Sequence, residues 1–143
     1  KKIEVKKKYP DTIIIKIFET KPLAVINKGK DKYILDSMSN LVASENKKIY
    51  KNLPIIFGDY AEKHFINFFQ KLSQNNFPKN RIKFYYYFKI GRWDLKLLNN
   101  KIIKLPSKKI DRAIKKSIDL LNREDFINYN IIDLRVDGKI IVE

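Results

Sequence analysis

Apolar and polar positions along this chain change period several times, and each change marks an element. Thr12–Phe18 (TIIIKIF) is dense in β-branched residues, and Ile3–Lys7 before it alternates apolar with polar. With Tyr9-Pro10-Asp11 as the turn, the two predict a hairpin. Pro22 has no N–H for a ladder and suits a boundary. Leu23–Ile26, Tyr33–Leu35 and Leu41–Ala43 are short strand candidates parted by polar turns such as Lys28-Gly29-Lys30-Asp31. Over Asp59–Leu72 the period becomes helical: Ala61, Phe65, Phe68, Phe69 and Leu72 share one face. Asp59 stands where a cap is needed and Glu62 three residues later, the spacing of a capping box. Ile82–Ile90 reads as a strand broken by Gly91. Trp93, Leu95 and Leu97 then alternate with Arg92, Asp94 and Lys96, a strand with one buried face. Asn99-Asn100 suits a tight hairpin, and Lys101–Leu105 returns. Pro106-Ser107 opens a second helix with Ser107 as cap. Its apolar face is Ile110, Ala113, Ile114, Ser117, Ile118 and Leu121. Asn130–Val136 is a strand, Asp137-Gly138 a tight turn and Lys139–Glu143 a final strand. The order predicts an α+β fold: a mainly antiparallel twisted sheet with two helices packed on one face, preceded by a β-hairpin.

Composition narrows the chemistry. The 143 residues are 44% hydrophobic, enough for a packed core, and no apolar run approaches the length of a membrane-spanning helix. The chain starts Lys1-Lys2 rather than with Met, and a fragment of a longer protein is expected. Cysteine is absent, which excludes disulfides, thiolate metal sites and a cysteine nucleophile. The formal charge of +15 leaves two readings open: a generic solvated surface, or a basic patch for an anionic partner.

Catalysis is poorly supplied. Gly29, Gly58, Gly91 and Gly138 stand too far apart for a phosphate loop. His64 is the one histidine, and without cysteine it cannot build the usual metal cluster. Asp133 and Asp137 point to the same side of a strand, either as a carboxylate pair or with Asp137 making the turn and Asp133 meeting a basic neighbour. Phe84-Tyr85-Tyr86-Tyr87-Phe88, flanked by Lys83 and Lys89, is either a central strand packed on a helix or a stacking platform for bases. The reading is of a protein that is not an enzyme and needs no cofactor or metal.

Four segments carry a resemblance. They are Val5-Lys6-Lys7-Lys8-Tyr9-Pro10-Asp11-Thr12 running through Ile13–Phe18 and Glu19 to Pro22-Leu23-Ala24; Leu53-Pro54 with Gly58; Arg92-Trp93-Asp94-Leu95 with Asn99-Asn100 and Leu105; and Ile132-Asp133-Leu134-Arg135 with Asp137-Gly138. In this order they resemble the extracytoplasmic part of the bacterial FtsQ/DivIB cell division proteins. The resemblance implies that residues 1–20 are the C-terminal hairpin of a truncated POTRA domain and 21–143 an FtsQ-type β domain. It also implies a scaffold of the divisome rather than an enzyme. Such a protein is anchored in the cytoplasmic (inner) membrane by a single span outside this chain, with this domain on the periplasmic side at the division septum. Its partners would be the small division proteins FtsB and FtsL, and its role to help position septal peptidoglycan synthesis.

The residues themselves point to a docking edge. Lys139–Glu143 is expected as an outermost strand, with Ile140 and Val142 toward the core and Ile141 outward, and with Lys139 and Glu143 as charged guards. A partner strand can add there through main-chain hydrogen bonds. Arg135 either holds a partner carboxylate or pairs with Asp133. The candidate partner site is therefore Arg135, Val136, Gly138, Lys139, Ile140, Ile141 and Val142. The alternative, a basic nucleic-acid-binding α+β module, would bind with a strong salt dependence; no nucleic acid is expected for the scaffold.

Overall fold

The computed structural model describes residues 2–8, 12–18, 21–43 and 51–143, the first two segments by their backbone alone. The Tyr9-Pro10-Asp11 turn lies outside the described residues. Strands β1 (Lys2–Lys8) and β2 (Thr12–Phe18) pair antiparallel along their whole length, from Lys2 opposite Phe18 to Lys8 opposite Thr12, as a two-stranded sheet of their own.

The remaining elements build one mixed sheet. They are β3 (Pro22–Lys28), β4 (Asp31–Asp36), β5 (Leu41–Val42), β6 (Ile55–Phe57), α1 (Ala61–Gln74), β7 (Ile82–Phe88), β8 (Arg92–Leu97), β9 (Ile102–Lys104), α2 (Ile110–Leu121), β10 (Ile131–Asp133) and β11 (Ile141–Val142). The spatial order is β11-β10-β9-β8-β7-β6-β3-β4-β5. Antiparallel contacts predominate, as the sequence pattern predicts. The parallel ones are β3–β6, β6–β7 and β9–β10. The last two arise because α1 and α2 carry the chain across the sheet before the next strand, the connection that parallel neighbours require.

One transverse row of side chains explains the core. Register places Ile26, Ile56, Tyr85, Leu95, Ile103 and Ile132 side by side, all buried. Val142 ends the row half-buried on β11. Both helices cover this face. From α1 come Ala61, Phe65, Phe68 and Leu72, and from α2 Ala113, Ile114 and Leu120, all in the same cluster. Trp93 is 3% exposed and lies flat on Phe68, ring centroids 4.9 Å apart. Asp111 of α2 accepts hydrogen bonds from Lys71 of α1 and from Asn75, which caps the C-terminus of α1, so the helices stand side by side.

Local details depart from the expected ones. Asp59 does not cap α1. Tyr60 holds the cap position at φ 64°, without a side-chain cap bond, while Asp59 meets Lys89 at 3.5 Å and Glu62 meets Lys28. A capping side chain returns to the first turn from extended backbone, and a left-handed residue there does not allow that. Ser107 likewise does not cap α2, which starts at Ile110 after Lys109 at φ 56°. Leu120, absent from the expected face, is fully buried, and Leu121 only partly. The expected strand Asn130–Val136 shortens to Ile131–Asp133, because the Arg135 N–H turns onto Asp133 Oδ1 at 3.0 Å and leaves the ladder. Lys139–Glu143 shortens to Ile141–Val142.

Candidate functional site

The face opposite the helices carries a second transverse row. Phe57, Tyr86, Asp94, Lys104, Asp133 and Ile141 are successive register partners from β6 to β11. Its β6 end is aromatic: Phe57 stacks on Tyr86 at 5.2 Å and meets Phe84 edge-on at 5.5 Å. Its middle is charged. Asp94 is 8% exposed, bonded by Arg92, whose guanidinium lies over the Phe88 ring at 4.2 Å. Burial pushes the Asp94 carboxyl up, against the pull of Arg92. The expected outward Asp94 is thus a covered carboxylate with a dedicated cation, for which the Arg-x-Asp spacing on one side of a strand is the only sequence signal.

At the β11 end, Asp133 and Arg135 form a bidentate pair, Nε–Oδ1 2.9 Å and Nη2–Oδ2 2.7 Å. Of the two readings of Arg135, the geometry takes the internal one. These hydrogen bonds hold the Asp133 carboxyl below its usual range. Asp133 and Asp137 do not make a carboxylate pair: Asp137 faces Lys109 at 3.0 Å and Arg112 at 3.4 Å, and both lower its pKa, Lys109 first. These contacts fold the 134–140 loop back onto the start of α2. The turn itself closes with the Lys139 N–H on the Val136 carbonyl at 3.1 Å, and Gly138 takes φ 77°.

β11 is outermost on this side of the sheet among the described residues. Glu143 and Ile131 exchange both main-chain hydrogen bonds at 3.1 Å. In an antiparallel pair the donors then alternate, so the Ile141 N–H points inward to β10 and the Val142 N–H outward. Ile141 is 50% exposed and lies on the charged face beside Asp133; Ile140 and Val142 lie on the helix side. Ile140 and Lys139 also border a groove of about 320 Å³ between the start of α2 and the loop. The expected site residues therefore lie together, except that Arg135 is engaged by Asp133. No local sequence signal points to the loop's clamp on α2, since Lys109 and Arg112 stand far from Asp137 in the chain.

Elsewhere, His64 stacks on Tyr87 at 4.9 Å. Tyr85 and Tyr87 are buried under α1, and Phe84 and Tyr86 are half-buried on the other face, so the aromatic run is a central strand. No cluster of three His, Asp or Glu residues and no helix long and apolar enough to cross a membrane occurs among the described residues.

Comparison with known proteins gives the family of the chain. Cell division protein FtsQ of Rickettsia conorii is 28% identical over 146 residues, covering 100% of this chain and 54% of the relative. FtsQ of Bartonella bacilliformis is 30% identical over 141 residues, covering 97% of this chain and 46% of that protein. The chain thus spans about half the length of the curated relatives it matches. The major extracytoplasmic domain of DivIB from Geobacillus stearothermophilus is a distant likeness, with 11% identity and a TM-score of 0.49 over 68% of this chain and 87% of that one. The family profile of the FtsQ/DivIB C-terminal region matches residues 24–135, from β3 to the Asp133–Arg135 pair, and the chain belongs to the FtsQ/DivIB family of cell division proteins.

Proposed function

We propose that this domain is a non-enzymatic docking scaffold of the divisome, capturing an extended segment of the small division proteins FtsB and FtsL by strand addition at β11. In this reading it works outside the cytoplasm, at the septum, held by a membrane anchor beyond these residues, and helps position septal peptidoglycan synthesis. The β1–β2 hairpin is then the last piece of a POTRA domain. The observation that carries the reading is the outer edge of β11: an outward Val142 N–H beside an exposed Ile141, on a short edge strand with Lys139 and Glu143 close to its two ends.

Proline scanning tests it. Ile141→Pro removes the inward donor and should unfold the C-terminal ladder. Val142→Pro removes the outward donor; it should leave the far-ultraviolet dichroism intact and abolish capture of a soluble FtsB segment. If Val142→Pro folds and still captures FtsB, strand addition at this edge is wrong.

A further inference from the structure

Beside β11 lies the groove of about 320 Å³ noted above. Its floor is apolar, with Ala113, Leu134, Val136 and Ile140. Its rim is cationic, with five Lys and Arg side chains against the single carboxylate of Asp137. Lys109 and Arg112 are engaged by Asp137. Lys108, Lys116 and Lys139 are exposed and enter no ion pair among the described residues. Three free ammonium groups around an apolar hollow match a ligand that is apolar in the middle and anionic on both flanks. A bare polyphosphate would leave the floor empty.

We propose that this groove is a second docking pocket, for an acidic–apolar peptide segment: one bulky apolar side chain on the floor, with Glu or Asp residues on either side meeting Lys108, Lys116 and Lys139. The proposal rests on strand addition at β11, because Lys139 and Ile140 lead directly from the groove into Ile141–Val142. A chain lying along that edge runs off its end into the groove. The edge then supplies main-chain affinity, and the groove reads sequence through charge and one apolar anchor.

The test uses random peptides displayed on phage and selected on the whole chain near physiological salt. Three proteins are compared: the unmodified chain, a groove variant (Lys108→Gln, Lys116→Gln and Lys139→Gln), and a control of equal net charge (Lys30→Gln, Lys32→Gln and Lys51→Gln). Selection on the unmodified chain should enrich peptides with Glu or Asp around Phe, Leu or Trp. Titration should show the groove variant binding them about tenfold more weakly, three exposed ion pairs being lost. The control should stay within about twofold, since distant charges are screened. An equal loss in both variants would show a general field effect and overturn the pocket, as would selection without acidic enrichment. So would loss by the groove variant of binding only to phosphatidylglycerol vesicles or short DNA. Val142→Pro separates the two readings: if it binds the selected peptides as the unmodified chain does while the groove variant does not, strand addition fails and the pocket stands.

Discussion

Trp93 shows how much a single side chain carries. It lies between Phe68 and Tyr87, with Phe65 and Tyr85 edge-on, and joins the strand layer to α1. Trp93→Ala should cost about 3–5 kcal/mol in chemical denaturation; a loss below about 1 kcal/mol would mean the face is not core. Asp133 allows a test by pH. Arg135 holds its carboxyl low, so the native state binds fewer protons than the unfolded chain in acid. The stability this pair contributes is present above about pH 4 and is lost as pH falls through the lower native value. Asp133→Asn should cost about 1 kcal/mol at neutral pH and flatten the acid limb of the stability curve below about pH 4. An acid limb unchanged from the parent protein would remove the pair from this role. Asp94 runs the other way: burial raises its pKa, so protonation on acidification favours the native state.

At the scale of elements, two glycines separate steric need from conformational need. Gly58, between β6 and α1, has φ 118°, and a Cβ there would stand 2.3 Å from the Tyr87 carbonyl oxygen. Gly138 has φ 77° with open space around it. Gly58→Ala should therefore cost more than about 2 kcal/mol and Gly138→Ala about 1 kcal/mol, read from melting curves. Similar costs for the two would show that Tyr87 gives way. Elements were legible in the sequence where side chains alternate against a core, as in Ile82–Phe88, Arg92–Leu97 and the Phe65/Phe68/Leu72 face. Helix starts were not. Asp59 and Ser107 have the right chemistry for caps, but the left-handed Tyr60 and Lys109 begin the helices instead. The short parallel strand Ile55–Phe57 carries too few residues to show a period.

Over the whole molecule, the two sheets should differ in stability. A two-stranded ribbon is marginal by itself, whereas β7 and β8 lie in the middle of the nine-stranded order. Amide exchange should find Thr12–Phe18 less protected than Ile82–Leu97 by orders of magnitude. Equal protection would make residues 1–143 one cooperative unit and remove the proposed domain division near Pro22. The register that aligns Asp94, Lys104 and Asp133 depends on contacts far apart in the chain, which is why the charged row escaped a reading of neighbours. The edge at β11 has a mechanical corollary. A partner tugged away from the sheet would peel β11 from β10 one bond at a time, because so short a strand shares load among few hydrogen bonds. With a partner docked there as proposed, the joint would act as a fuse: under tension it would part at the rim, and the aromatic core under α1 would stay whole.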